Sequence, residues 1–143
     1  MNISKVIQAA EQGDVDAQTQ LGLAYNSGNR VAKNEAEAVK WFRKAAEQGH
    51  LIAQFFLGIA YYKGEHLPKD YAEAAKWYRE SAEQGDADAQ LCLGGCYADG
   101  EGVPQDDVQA YMWVNLAAES YEDARKKRDG LAARMTPEQI AEA

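Results

Sequence analysis

Hydrophobic and small residues recur along this chain at the spacing of α-helices, and the pattern returns every 36 residues. In the first copy, one face of a predicted helix carries Ala17, Leu21, Ala24 and Tyr25. After a short polar segment, a second predicted helix carries Ala38, Trp41, Phe42, Ala45 and Ala46 on its apolar face. Each copy therefore predicts two amphipathic helices joined by a loop.

The repetition itself is the strongest signal in the sequence. Copies one and two agree at 18 of 36 positions without a gap. The positions identical in all three copies, numbered in the first, are Gly13, Ala17, Gln18, Leu21, Gly22, Tyr25, Gly28, Ala38, Trp41, Ala46 and Glu47. A fixed period of this length indicates stacked helical units that bury a core only through their neighbours. The sequence thus predicts an all-α solenoid.

Local signals mark where each helix begins and ends. Glycines that favour a left-handed helix terminus follow the first helix of every copy, at Gly28, Gly64 and Gly100. Capping residues precede the second helix at Asn34, Asp70 and Asp106, each with Glu or Gln three positions later, which predicts a capping box. Gly22 lies in mid-helix, so we expect a neighbouring backbone to pass close to it. The three tryptophans are expected in the core.

The ends of the chain depart from the repeat. We predict one domain over residues 1–143, with repeats at 13–48, 49–84 and 85–120. Residues 1–12 form an N-terminal capping helix, and residues 121–143 form C-terminal capping helices. The last of these begins at Thr136-Pro137, where a capping Thr precedes Pro at the first helical position.

Composition narrows the classes of function. A net charge of −8 argues against nucleic-acid binding, which needs clustered Lys and Arg. No stretch approaches the roughly 18 apolar residues of a membrane-spanning helix. Residues 1–10 do not resemble an export signal, so we expect a cytoplasmic protein.

No catalytic or metal-binding pattern is present, so we expect neither enzymatic activity nor a cofactor. A Gly-rich phosphate loop and a nucleophile–base pair are both missing from the sequence. Cys92 and Cys96 lie four residues apart on one predicted helix and are interpreted as small core side chains. They lack further ligands for a zinc site.

Three runs resemble the Sel1-like repeat. They are Ala17-Gln18-x-x-Leu21-Gly22-x-x-Tyr25, Gly64-x-x-Leu67-Pro68-x-Asp70 and Ala74-x-x-Trp77-Tyr78-x-x-Ser81-Ala82. The segment from Tyr111 to Ala118 and the segment from Met135 to Ile140 look like the closing part of bacterial members. The resemblance implies a right-handed α/α superhelix, similar to tetratricopeptide arrays, that acts as an adaptor in protein complexes.

By this likeness, the arc of the first helix opposite the core would line a concave groove and bind a protein or peptide partner. The residues predicted to contact it are Asp16, Thr19, Leu23, Asn26, Ile52, Phe55, Ile59, Tyr62, Lys63, Asp88, Leu91 and Asp99. Phe55, Ile59 and Tyr62 form an apolar patch flanked by acidic residues. The alternative is that these three side chains only fill a tightly curved groove or touch the next helix.

Other functions remain open at this point. The chain could be a self-associating structural module that forms a weak homo-oligomer through the ends of its stack. It could also be a host-interaction or virulence-associated factor of a bacterium. The sequence names no partner.

Overall fold

The computed structural model describes residues 2–143, and this part of the chain contains nine helices and no strand. The helices are α1 (Ile3–Glu11), α2 (Val15–Ser27), α3 (Glu35–Glu47), α4 (Leu51–Lys63), α5 (Tyr71–Glu83), α6 (Ala87–Asp99), α7 (Asp107–Ala117), α8 (Glu122–Ala133) and α9 (Pro137–Glu142). The predicted all-α fold of helix–loop–helix units is confirmed.

The chain divides into two compact units, residues 1–69 and residues 70–143. In the first unit, α1 packs on α2, α2 on α3, and α3 on α4, while α2 also contacts α4. In the second unit, α5 packs on α6, α6 on α7, and α7 on both α8 and α9. Most helices therefore pack against the next one in their unit, as short connections dictate, whereas α8 and α9 both pack on α7.

Buried glutamines explain one of the identical positions of the repeat. The Nε2 groups of Gln18, Gln54 and Gln90 donate to the carbonyl oxygens of Ala10, Ala46 and Ala82 at 3.2, 3.3 and 3.3 Å. Each acceptor lies near the end of the preceding helix, where carbonyl groups lack a partner within the helix. Each of these glutamines therefore links its own helix to the C-terminal end of the preceding helix.

A contact between an arginine and a tyrosine occurs at equivalent positions in both units. Arg43 Nη2 donates to the Tyr61 hydroxyl at 2.7 Å, and its guanidinium lies 5.6 Å from the centre of the Tyr61 ring. Arg79 makes the same hydrogen bond to Tyr97 within the second unit. These contacts join α3 to α4 and α5 to α6 at equivalent positions.

The predicted helix ends are confirmed, and the capping boxes only in part. Gly28, Gly64 and Gly100 all have positive φ angles, and Asn34, Asp70 and Asp106 accept hydrogen bonds from the first turn of their helices. Among residues 2–143, both halves of the box are present only at Thr136 and Gln139. The Glu37 carboxylate instead lies 3.7 Å from Lys40 Nζ.

The mid-helix glycines are close-packed, but the neighbour differs from the predicted backbone at Gly22. A Cβ at Gly22 would lie 2.7 Å from the Phe42 ring, whereas one at Gly94 would lie 2.5 Å from Val114 Cγ2 and 3.2 Å from the Ala110 carbonyl oxygen. A side chain therefore occupies the space beside Gly22. The neighbouring backbone comes within reach at Gly94.

The tryptophans are not equally buried. Trp77 and Trp113 are each 8% exposed, as predicted for core side chains. Trp41 is only half-buried: it packs against the cluster that α1 and α2 form, and Lys44 Nζ lies 4.7 Å from its ring centre. The expectation of three core tryptophans is therefore wrong for Trp41.

Candidate functional site

Two cavities of the first unit are built from equivalent positions of the repeat. The second-copy cavity, about 300 Å³, is lined by Asn26, Lys33, Glu35, Val39, Phe42, Phe56, Ile59, Ala60, Lys63, Glu65 and His66. The first-copy cavity, about 230 Å³, is lined by Ile3, Val6, Gln20, Leu23, Ala24, Ser27, Asn29 and Arg30. Each of these eight residues has its counterpart 36 positions later in the second-copy cavity. The repeated backbone therefore produces the same hollow twice.

Apolar side chains form the floor of the second-copy cavity. The rings of Phe42 and Phe56 stack with their centres 5.0 Å apart and an interplanar angle of 9°. Phe55 meets Phe56 edge to face at 5.4 Å. Stacked and edge-to-face ring pairs attract one another, so the packed rings give the cavity an apolar floor.

Charged side chains surround this floor. One carboxylate oxygen of Glu35 lies 3.3 Å from Lys33 Nζ, and the other lies 3.5 Å from His66 Nε2. The hydrogen bond and the charge of Lys33, together with the hydrogen bond from His66, hold the pKa of Glu35 below its usual value. Lys63 and Glu65 make no ion pair within residues 2–143, so both charges remain available to a ligand.

Both cavities carry a residue in an uncommon backbone conformation. Arg30 has a φ of 71° and His66 a φ of 63°, and they are the only non-glycine residues with positive φ in the described part of the chain. The third copy has Gly102 at this position, with a φ of 76°. A side chain in this region costs about 1–2 kcal/mol, so copies one and two retain a strained residue where glycine would relieve the strain.

The structure brings some of the predicted contact residues together. Asn26, Ile59 and Lys63 line the second-copy cavity, and Leu23 lines the first-copy cavity. Phe55 does not line the cavity, but its ring contacts that of Phe56, which does. Ile52 is 39% exposed on α4, and Tyr62 is half-buried near the end of the same helix.

Other predicted contact residues lie elsewhere. Thr19 is only 3% exposed and its hydroxyl donates to the Val15 carbonyl at 3.1 Å, so it has little surface to offer a partner. Asp16 pairs with His50 at 3.2 Å. In the second unit, Leu91 packs against the core formed with α7 and α8, the carboxylate of Asp88 raises the pKa of Tyr121, and Asp99 is exposed.

Eight residues that line the second-copy cavity were not predicted from the sequence: Lys33, Glu35, Val39, Phe42, Phe56, Ala60, Glu65 and His66. Three of them lie in α3 and three in loops, whereas the predicted contact residues came from the outer arc of the first helix of each copy. One signal was available in the sequence: Arg30 and His66 occupy a position that is glycine in the third copy.

The cysteines are poor nucleophiles. Burial raises the pKa of the Cys92 thiol to about 11 and that of Cys96 to about 12, and both are free thiols. Since the thiolate is the reactive form, both side chains are largely inert near neutral pH. No cluster of three metal-ligating side chains occurs in residues 2–143, and none of the helices there is long and apolar enough to cross a bilayer.

Comparison with known proteins gives a consistent result. The profile of the family described as the Sel1 repeat matches residues 15–50, 51–86 and 87–121. A solved Sel1 repeat protein from Oxalobacter formigenes is 37% identical, with a TM-score of 0.80, and the similarity covers 89% of this chain and 96% of that one. No curated protein sequence matches significantly.

Two further solved structures share the fold. The protein c5321, described as a protective antigen of uropathogenic Escherichia coli with an SLR fold, is 42% identical over 87% of this chain, with a TM-score of 0.79. This chain spans only 27% of the length of c5321. Cysteine rich protein B of Helicobacter pylori is 26% identical, with a TM-score of 0.69, and the similarity covers 87% of this chain and 90% of that one.

Proposed function

This chain belongs to the Sel1 repeat family, and we propose that it is a non-enzymatic adaptor that binds a segment of a partner protein at the second-copy cavity. Members of the family generally act as protein–protein interaction modules. The proposal assigns that role in this chain to one surface of the first unit. We also propose that the protein is located in the cytoplasm.

The observation that carries the proposal is the combination of an apolar floor and unpaired polar side chains at one opening. The stacked Phe42 and Phe56 rings and Ile59 can cover an apolar side chain of the partner. The side chains of Asn26, Lys63 and Glu65 also line the cavity and make no hydrogen bond or ion pair within residues 2–143. An apolar anchor with a polar rim is the usual arrangement of a peptide-binding surface.

The size and chemistry of the cavity support binding rather than catalysis. Its volume of about 300 Å³ is at the lower end of the range for ligand pockets, and suits one large side chain. The lining includes no Ser, Thr or Cys that His66 could activate, and His66 faces the Glu35 carboxylate instead.

The test begins with selection of binding peptides from a displayed random library on the wild-type protein. Affinity of the enriched peptides is then measured by fluorescence anisotropy. Ile59→Asp should weaken binding by about tenfold or more, because it places a charge on the apolar floor. Leu116→Asp makes a similar change at a side chain that is 45% exposed in the second unit, and should leave affinity unaltered.

The predicted aromatic patch is tested in the same assay. The double variant Phe55→Ala, Tyr62→Ala should weaken binding if the patch contributes to the site, with helicity checked by circular dichroism. If peptides bind Ile59→Asp and wild type equally, the cavity is not the site and the proposal fails.

A further inference from the structure

A further cavity of the first unit has no assigned role. Its volume is about 460 Å³, and its lining consists of seven residues of α3 together with His66 and Leu67 from the loop after α4. It shares Val39 and His66 with the second-copy cavity and has no other lining residue in common with it. We call this surface the basic cavity.

We propose that the basic cavity binds an acidic segment of a partner protein. The segment would carry two carboxylates separated by one residue, with an apolar side chain beside them. Because this surface is distinct from the second-copy cavity, the inference goes beyond the proposed function and is tested separately from it.

The charged side chains that line the basic cavity are mostly positive. The lining contains Lys40, Arg43 and Lys44 but only one acid, Glu37. That acid is already paired, because its carboxylate lies 3.7 Å from Lys40 Nζ. Arg43 and Lys44 make no ion pair within residues 2–143. Two positive charges therefore lack a neutralising acid, and charge complementarity selects an acidic ligand.

The guanidinium of Arg43 is already oriented by a neighbouring side chain. Its Nη2 donates to the Tyr61 hydroxyl at 2.7 Å, and its central carbon lies 5.6 Å from the centre of the Tyr61 ring. The remaining N–H donors of Arg43 have no partner within residues 2–143. Because the group is held before binding, it loses less conformational entropy when it donates to a carboxylate.

Apolar side chains provide the rest of the surface. Val39, Trp41 and Leu67 line the cavity, and all three are half-buried. Lys44 Nζ lies 4.7 Å from the centre of the Trp41 ring, so positive charge and aromatic surface adjoin. An apolar side chain of the segment can therefore cover Val39 and Leu67 while a neighbouring carboxylate reaches Arg43 and Lys44.

The second copy does not have the same excess of positive charge. At the positions of Glu37, Lys40, Arg43 and Lys44 it carries Glu73, Lys76, Arg79 and Glu80. Two acids there balance two bases, because Glu80 replaces a lysine. The indole of Trp77 is also only 8% exposed, whereas that of Trp41 is half-buried. The basic surface is therefore a property of the first copy and not of the repeat.

The helix sets the spacing of the two carboxylates. Lys40 and Lys44 are four residues apart on α3, which corresponds to about 6 Å along the helix axis. Alternate residues of an extended segment point to the same side and lie about 6.6 Å apart. The ion pair between Lys40 and Glu37 is exposed and contributes little, so a carboxylate of the segment can share this lysine.

The experiment uses synthetic peptides and the full chain. The acidic peptide is acetyl-Ser-Leu-Glu-Ser-Glu-Ser-amide, and a neutral peptide replaces both Glu residues by Gln. Binding is followed by NMR titration of the backbone amides and of the Trp41 indole N–H, which is assigned from its loss in Trp41→Phe. Because Trp41 lines the cavity and is half-buried, its signal reports binding there.

We expect the acidic peptide to shift the Trp41 signal and to bind about tenfold more tightly than the neutral peptide at low salt. Its affinity should fall as salt is added, since salt screens exposed charges. Lys44→Glu gives copy one the acid that copy two has at this position, and should weaken binding by about tenfold or more.

The variants Lys40→Glu and Lys76→Glu form a matched pair. They make the same change in net charge at equivalent, exposed positions of copies one and two. Lys40→Glu should weaken binding of the acidic peptide by about fivefold or more, whereas Lys76→Glu should bind it like wild type. Circular dichroism checks that each variant retains its helices.

Three results would overturn the inference. The cavity does not select acidic segments if the acidic and neutral peptides bind equally, or if Lys40→Glu and Lys44→Glu bind like Lys76→Glu. The peptide occupies the second-copy cavity instead if Ile59→Asp abolishes its binding. If inorganic phosphate at the same concentration shifts the Trp41 signal equally, the cavity takes small anions and not a segment. In each case the library-selected peptides still decide the proposed function.

Discussion

Copies two and three of the repeat use the same positions in opposite ways. Copy two places Phe56, Ile59 and His66 around an open cavity of the first unit. The equivalent residues of the second unit are Cys92, Gly95 and Gly102. There the Tyr71 carbonyl oxygen takes the space beside Gly102, and Lys127 Nζ would lie 3.1 Å from a Cβ at Gly95.

The comparison shows which positions the repeat constrains. Identical residues such as Leu57 and Leu93 are fully buried in both copies, and Gln54 and Gln90 make the same hydrogen bond. Cavity positions are not needed for those contacts, so their side chains can change. In copy two they form a potential binding surface, and in copy three they are reduced to small residues that neighbours can cover.

Gly102→His should have the largest effect on stability. The substitution gives copy three the histidine that copy two has at the equivalent position. The new Cβ would overlap the Tyr71 carbonyl oxygen, and the backbone there has positive φ. We expect a loss of about 2–4 kcal/mol in the free energy of unfolding, measured by urea denaturation. Unchanged stability would show that the loop of copy three can open as in copy two.

Cys92, which replaces Phe56, should react slowly in the native state. Its pKa near 11 leaves about 100-fold less thiolate than a thiol with the ordinary value of 9.0. Iodoacetamide labelling at pH 8 should therefore be about 100-fold slower in native protein than in urea. Rapid native labelling would contradict the burial of this thiol.

The raised pKa values of the cysteine thiols also predict how the free energy of unfolding changes at alkaline pH. Folding raises the pKa of Cys92 and Cys96, so the native state retains their protons to higher pH than the unfolded state. Their contribution to stability is therefore fully present below about pH 9 and is lost as the pH rises toward 11 and 12. The variant Cys92→Ala, Cys96→Ala should show a smaller loss of stability over this range.

His66→Gly is the reverse exchange and should have the smallest effect. Removing the side chain relieves the positive φ but gives up the contact with Glu35. We expect a gain in stability of about 0.5–1 kcal/mol in urea denaturation, since the contact is exposed and contributes little. A clear loss of stability would mean that His66 holds the loop in place.

Much of the fold could be predicted because its causes are local. The positive φ of Gly64 follows from the need for a left-handed helix end, and the Asp70 cap follows from unpaired N–H groups at a helix start. The short α9 was predicted from the Thr136-Pro137 sequence. Such signals need only a few neighbouring residues to act.

The candidate site was harder to predict because it combines separate elements. Asn26, Ile59 and Lys63 were found from the helical period, since they lie on the outer arc of their helices. Glu35 and His66 come together only because the loop after α4 lies beside the start of α3. Thr19 shows the opposite error: the helical period placed it outside, and the structure buries it.

The sequence by itself determined the helices, their ends and the 36-residue repeat, because apolar period, glycine and capping groups act over one or two turns. Tertiary packing decided which copies keep an open cavity. The volume left beside a backbone depends on side chains distant in sequence, such as Phe42 beside Gly22 and the Tyr71 carbonyl group beside Gly102. Equivalent positions of one repeat therefore acquired different surfaces.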